Sequence, residues 1–117
     1  MYRDVDVPVE PALVVLTQVT SRPAPDRVIV DAGRKTIDPG ERPPRPRNQP
    51  GVRALALSAE HGTILLERPA ECPRVGDRIE LEVGYHDRAV HLHEVIVGVR
   101  NGIIEAVWPV AARGRLQ

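Results

Sequence analysis

Frequent turn-forming residues restrict this chain more than any other feature of its sequence. Twelve prolines and nine glycines divide its 117 residues into short apolar runs. A proline inside a helix costs about 3 kcal/mol, so long helices are disfavoured. Several runs, such as 27–31 (RVIVD) and 77–83 (DRIELEV), alternate apolar and polar residues, which is typical of strands with one buried face. The sequence therefore predicts an all-β domain.

The runs predict about six to seven mostly antiparallel strands, arranged as a small β-barrel or sandwich. We expect strands at 12–20, 27–31, 52–58, 63–67, 77–83, 92–100 and 103–110. The first two should pair antiparallel across a turn at 22–26, and the third and fourth should form a hairpin. Asn101-Gly102 lies between two runs rich in Val and Ile and predicts a C-terminal hairpin with a type I′ turn. The proline-rich segment 38–51 predicts a long loop.

The aromatic content sets the character of the expected core. Aromatic residues make up only 3% of the chain and Phe is absent, so the core should be aliphatic. Trp108 is then most simply interpreted as an anchor that holds the last strand against this core.

The charge balance argues against several classes of partner. Sixteen basic and sixteen acidic residues cancel, so no overall field attracts nucleic acid or an anionic membrane, and we expect neither as a partner. No apolar run approaches the roughly 20 residues that span a bilayer. Cys72 is the only cysteine, and the first residues lack the pattern of a secretory signal. The expected location is the cytoplasm.

Three of the four histidines fall within residues 84–94, which also hold two carboxylates. His91 and His93 are two residues apart, so on a strand they would share one face and could bind a divalent metal. This pair would suit a free-standing metal-binding barrel of the cupin type, and the simpler alternative is a solvated strand face. Tyr85 and Asp87 have the same spacing, and His86 would face away from them unless the backbone bulges.

Six stretches of the chain, taken in order, carry a family resemblance. They are 16–23 (LTQVTSRP), 30–35 (VDAGRK), 57–62 (LSAEHG), 75–78 (VGDR), 97–102 (VGVRNG) and 108–115 (WPVAARGR). Together they resemble the C-terminal domain of D-threonine aldolases and D-serine dehydratases, which are pyridoxal-phosphate enzymes of fold-type III. The resemblance implies that residues 12–117 form the small β-barrel domain of such a lyase and that residues 1–11 form an extended arm or linker.

The resemblance also implies site residues. In this family the small domain supplies two metal ligands in a His-x-Cys or His-x-Asp pattern after the strand that begins with Gly-Asp. An ungapped count aligns Tyr85 with the family's His and Asp87 with its Cys or Asp. Asp87 is then the expected ligand for manganese, magnesium or zinc, helped by Tyr85 or His86. His61 and Tyr85 would face the active site.

The cofactor chemistry implied by the resemblance belongs to a larger α/β barrel. Schiff-base chemistry needs an activated lysine, and Lys35, the only lysine, is interpreted as a solvated surface residue. We therefore expect no catalytic residue in the isolated chain, no activity from it alone, and pyridoxal phosphate only through the missing barrel. The expected partners are that barrel or a second copy of the chain. The alternative function is a non-catalytic interaction module.

Overall fold

The structure, a computed structural model, describes residues 8–40 and 42–115. In this part of the chain, eight strands and one short helix follow one another. They are β1 Val14–Ala24, β2 Arg27–Val30, β3 Arg45–Pro46, β4 Val52–Leu57, β5 Gly62–Leu66, β6 Arg78–Glu82, α1 His86–Val90, β7 Val95–Arg100 and β8 Ile103–Pro109. Most of the predicted N-terminal arm lies outside the described residues.

Six strands form one antiparallel, nearly closed, barrel-like sheet in the order β3-β6-β1-β2-β5-β4. Strand β1 is long enough to serve two neighbours, because Val14–Gln18 pairs with β6 and the residues from Val19 to Ala24 pair with β2. Two irregularities interrupt the β1–β2 register in this part of β1. The all-β prediction and the predicted β1–β2 and β4–β5 pairings are confirmed.

The barrel encloses an aliphatic core, as the composition predicts. The buried apolar residues are Val15, Val19, Val28, Val30, Ala32, Ile37, Ile64, Leu66, Ile79, Leu81, Val83 and Ala89. In β1 the inward positions alternate through Val15, Thr17 and Val19, which is the period of a half-buried strand. Thr17 is the buried polar residue in this row.

Strands β7 and β8 form a separate two-stranded sheet. The predicted hairpin turn is confirmed, because Asn101 (φ 51°) and Gly102 (φ 77°) both adopt the left-handed conformation that a type I′ turn requires. The expectation for Trp108 is wrong, since its side chain is 54% exposed and the core cluster includes no residue of β7 or β8. The hairpin lies beside the barrel core and does not complete it.

Two strand boundaries differ from the prediction. Strand β1 continues through Arg22-Pro23-Ala24, which were expected to form a turn. Pro23 is tolerated because it lies at a register irregularity, between the paired residues Ser21 and Ala24, where the ladder does not need its missing N–H. The predicted loop at 38–51 also contains the two-residue strand β3, which pairs with β6.

The strand predicted at 92–100 is shorter than expected, and the residues before it are partly helical. Helix α1 spans His86–Val90, and β7 begins only at Val95. The helix docks on the barrel through a single buried side chain, Ala89. Because α1 has five residues, and it is the only helix in the described ranges, no helix there is long enough to cross a membrane.

Candidate functional site

The phenol of Tyr85 is held at the start of α1. Tyr85 is the N-cap residue with an extended backbone (φ −136°, ψ 104°), and it is 42% exposed. The guanidinium of Arg88 lies 5.9 Å from the centre of its ring, within the range of a cation–π contact. Arg88 also pairs with Asp38, with 3.7 Å between Nη1 and Oδ1. These contacts fix one side of the ring and leave part of Tyr85 open to solvent.

His86 and Asp87 follow in the first turn of α1, and both are exposed. The spacing of Tyr85 and Asp87 would place both on one face of a strand, but Asp87 lies inside α1 and only Tyr85 has an extended backbone. Within the described residues, no group of three or more His, Cys, Asp or Glu side chains could hold a metal ion. The candidate donors of this segment are the phenol of Tyr85, the imidazole of His86 and the carboxylate of Asp87, and all three residues are exposed.

The histidine pair expected on a strand is also placed differently. His91 and His93 lie in the turn that follows α1, not on a shared strand face. The Nδ1 of His91 is 3.0 Å from the carbonyl oxygen of Asp87, and the Nε2 of His93 is 2.7 Å from that of Thr36. Each ring therefore donates an N–H to a backbone carbonyl. The shared strand face on which cupin-type metal binding by this pair depends is not present.

His61 lies in the turn between β4 and β5, and its residue is exposed. The turn is closed by the hydroxyl of Ser58, which donates to the His61 carbonyl at 3.0 Å and accepts from the His61 N–H at 3.2 Å. These bonds use the backbone of His61 and not its ring nitrogens. The imidazole is left available for other contacts.

One loop, residues 31–40, contacts both the His61 turn and the segment 85–94, which contains the other candidate residues. At its start, the N–H groups of Arg34 and Lys35 donate to the carbonyls of Ser58 and Ala59, at 2.8 and 3.1 Å. At its end, Thr36 accepts from His93, and Asp38 pairs with Arg88. The loop therefore connects the His61 turn to helix α1.

The close approach of this loop to the His61 turn depends on Gly33. A β-carbon placed on Gly33 would lie 2.5 Å from the carbonyl oxygen of Ala59 and 2.5 Å from the backbone nitrogen of His61. Real β-carbons do not approach backbone atoms this closely, so any side chain would separate the loop from the turn.

Asp31 is the first residue of the loop 31–40, and the sequence patterns did not indicate it as a site residue. Its carboxylate accepts hydrogen bonds from the Thr17 hydroxyl and from the Gln18 N–H, the latter at 2.8 Å. The hydrogen bond from the Gln18 N–H, and then the bond from the Thr17 hydroxyl, hold the pKa of Asp31 below its ordinary value. The sequence signal for this contact is Thr17 at an inward position of β1, because a buried hydroxyl needs a hydrogen-bond partner.

Lys35 does not fit the attachment of pyridoxal phosphate. Its side chain is 71% exposed, and its ammonium pairs with the carboxylate of Glu60. This hydrogen bond raises the pKa of Lys35. A Schiff-base lysine needs its pKa lowered, by burial or by a neighbouring cation.

Comparison with known proteins identifies the domain. The family described as "Putative serine dehydratase domain" matches residues 12–99, which is most of the chain. The chain belongs to this family. It is a D-threonine aldolase/D-serine dehydratase-like β domain, as the sequence resemblance indicates.

The relatives of this β domain include much larger enzymes. A D-threonine aldolase of Arthrobacter sp is 40% identical over 105 residues, which are 90% of this chain and 28% of the aldolase. A 3-hydroxy-D-aspartate aldolase of Paracoccus denitrificans is 38% identical over 91% of this chain and 27% of its own length. The crystal structure of D-threonine aldolase from Filomicrobium marinum superposes with a TM-score of 0.83 and 33% identity, over 89% of this chain and 29% of that one. The β domain thus spans a little over a quarter of these aldolases.

Another relative is close to the β domain in size. Uncharacterized protein Rv1414 of Mycobacterium tuberculosis is 27% identical over 116 residues, which are 94% of this chain and 86% of that protein. Sequences of this type therefore occur both within aldolases and in proteins little longer than the domain.

Proposed function

We propose that this chain is the β domain of a pyridoxal-phosphate-dependent lyase for β-hydroxy-D-amino acids, and that it completes an active site built on an α/β barrel. The observation that carries this proposal is the match to part of a D-threonine aldolase structure, over 89% of this chain and 29% of the aldolase. Lys35 is exposed and paired with Glu60, which is consistent with an enzyme in which another domain supplies the Schiff-base lysine. The cofactor would act as the electron sink, and it would be held by the barrel.

The part of this chain that we assign to the active site is the surface formed by the His61 turn, the loop 31–40 and the start of α1. Asp87, exposed in the first turn of α1, is the carboxylate that would accept a proton or hydrogen bond from the substrate's β-hydroxyl. Tyr85 would donate to the substrate from the same helix end, where Arg88 holds its ring. The imidazole of His61 would face the site from the neighbouring turn.

A domain exchange tests this function. The part of the Arthrobacter sp D-threonine aldolase that is 40% identical to this chain is replaced by this chain, and cleavage of D-threonine to glycine and acetaldehyde is measured. We expect the chimera to be active and Asp87→Ala to lower its kcat/KM by about 10- to 100-fold. Tyr85→His, which restores the residue implied by the family pattern, should raise it.

Leu16→Ala is the matched control, because Leu16 is an exposed apolar residue on the outer face of β1. It should leave the activity of the chimera unchanged. A chimera that folds and binds the cofactor but cleaves no D-threonine, with either Tyr85 or His at position 85, would contradict the proposal.

A second candidate function is a non-catalytic interaction module. It is favoured by the exposed apolar hairpin β7–β8 and by a relative that is little longer than the domain. The same exchange distinguishes it, because an interaction module would not support aldolase activity in the chimera.

A further inference from the structure

The guanidinium of Arg88 is held by three neighbouring residues, although the side chain is 54% exposed. Its centre lies 5.9 Å from the centre of the Tyr85 ring, and its Nη1 lies 3.7 Å from Oδ1 of Asp38. A β-carbon placed on Gly40 would lie 3.6 Å from Cδ of Arg88 and 3.6 Å from Cδ1 of Tyr85. The end of the loop 31–40 therefore lies beside both side chains, and the charged group is held at the surface of α1.

These contacts leave the hydrogen-bond donors of Arg88 unused. A hydrogen bond from a cationic N–H group to a carboxylate oxygen is about 2.7–2.9 Å long, so the pair with Asp38 at 3.7 Å is an ion pair without a hydrogen bond. Oδ1 of Asp38 instead accepts from the N–H of Gly40 at 2.8 Å. Among the described residues, none accepts a hydrogen bond from this guanidinium, which carries five N–H donors in a planar fork.

Arg88 belongs to the surface that we assign to the active site. It follows Asp87 directly in α1, and Asp87 is the carboxylate proposed to accept from the substrate's β-hydroxyl. A group bound beside Asp87 lies near the substrate's β-carbon, because the hydroxyl and the side-chain substituent share that carbon. A planar fork of donors matches the two oxygens of a carboxylate, whereas a methyl group has nothing to accept its hydrogen bonds. The chemistry at this position therefore favours an acidic substituent.

We propose that Arg88 is a specificity-determining residue that binds a carboxylate on the β-carbon of the substrate. The substrates are then β-hydroxy-D-amino acids with an acidic side chain. This inference rests on the proposed lyase function and adds the group that distinguishes one substrate from another. Arg88 would also offset the repulsion between the substrate's carboxylate and Asp87, since two like charges would otherwise meet in one site.

Two substrates that differ in a single group test the proposal. In 3-hydroxy-D-aspartate a carboxylate replaces the methyl group of D-threonine, and the aldolase chimera is assayed with both. In Arg88→Gln, the ratio of kcat/KM for 3-hydroxy-D-aspartate to kcat/KM for D-threonine should fall by about 10- to 100-fold. Arg88→Lys keeps the charge but loses the planar fork, so its ratio should fall less. Because both substrates are assayed with the same preparation, the ratio does not depend on the fraction of folded protein.

Arg53→Gln is the matched control, because Arg53 is an exposed arginine on β4 and lies outside α1 and the loop 31–40. Its ratio should equal that of the unsubstituted chimera. A chimera that cleaves D-threonine but not 3-hydroxy-D-aspartate overturns this inference and leaves the lyase function standing. So does a ratio that Arg88→Gln leaves unchanged, since equal losses for both substrates would mean that Arg88 only holds Tyr85. A chimera that cleaves neither substrate contradicts the lyase function, and this inference with it.

Discussion

The indole ring of Trp108 lies over Gly98 on the hairpin, so close that a β-carbon on Gly98 would be 2.6 Å from the ring. The residue opposite Trp108 in the register is Ile96, so the ring reaches diagonally along the face to cover the glycine. The glycine thus makes space for the only tryptophan of the chain. The absence of a side chain at position 98 is compensated by the aromatic cover.

Gly98→Ala should displace the Trp108 ring and expose it further. Because the contact involves the outer end of a side chain that can rotate away, the expected cost is about 1 kcal/mol, confined to the hairpin. The emission maximum of Trp108 should move to longer wavelength, and amide exchange in β7 and β8 should accelerate. In a Trp108→Ala background, where no ring is displaced, Gly98→Ala should lose its effect. An equal acceleration in both backgrounds would contradict the steric explanation.

Arg22 connects β1 to the turn-rich segment before β6. Its guanidinium donates to the carbonyls of Ala70 at 2.7 Å, Glu71 at 3.2 Å, and also of Pro25 and Pro73. Arg22→Lys keeps the charge but loses the planar array of donors, so we expect about 2 kcal/mol of destabilisation in urea unfolding. Arg27→Lys, on the exposed side of β2, should cost less than about 0.5 kcal/mol. Equal losses in the two variants would show that the array of donors is unimportant.

The fold was predictable because a strand with one buried face alternates apolar and polar residues along the sequence. Strands β2 and β6 were found nearly within their observed bounds. The alternation of apolar and polar residues predicts too long a strand at 92–100, because β7 begins only at Val95. Nor does it indicate that the residues before this strand form helix α1, which is anchored by the buried Ala89 alone. It also does not show which apolar faces meet the core, which is why Trp108 was assigned to the interior.

The candidate site was less predictable because its contacts join distant residues. His93 meets Thr36 across 57 positions, and Thr17 meets Asp31 across 14. Neither contact can be inferred from the spacing of neighbouring residues in the sequence. The Tyr85-x-Asp87 spacing is local, but its geometry depends on where the backbone changes from extended to helical, and this change occurs between Tyr85 and His86.

Asp31→Asn should destabilise the domain at neutral pH and have less effect in acid. Loss of the charged acceptor weakens its bonds with Thr17 and Gln18, and since Asp31 is exposed we expect about 1 kcal/mol. The folded pKa lies below the ordinary 3.8, so the unfolded chain binds more protons between the two values. The contribution is therefore full above pH 3.8 and is lost as the pH falls through the folded pKa.

Thermal unfolding of the wild type and of Asp31→Asn, from pH 7 to pH 2, measures this change. The difference in Tm should narrow below pH 3.8. Asp26→Asn, in the turn between β1 and β2, controls for the loss of a carboxylate as such. A Tm difference that stays constant down to pH 2 would exclude the linkage.

Asp87 is the residue on which metal binding by this chain would depend. Because no group of three or more His, Cys, Asp or Glu side chains in the described ranges could hold a metal ion, we expect only weak binding of manganese or zinc, in the millimolar range. Titration calorimetry should show this weak binding abolished by Asp87→Ala. It should persist in His91→Ala/His93→Ala, because these two residues lie in the turn after α1 and not side by side on a strand face. Loss of binding in the double variant alone would transfer the site to the two histidines.

Lys35 should not form an imine with pyridoxal phosphate when the chain is purified alone. Imine formation requires the neutral amine, and the hydrogen bond from Lys35 to Glu60 stabilises the ammonium and raises its pKa. The protein mixed with pyridoxal phosphate at pH 7.5 should therefore lack the imine absorbance band. Glu60→Gln removes the charge that holds the proton and should increase the reactivity of Lys35. A strong band in the wild type that disappears in Lys35→Ala would show that the chain carries its own cofactor lysine.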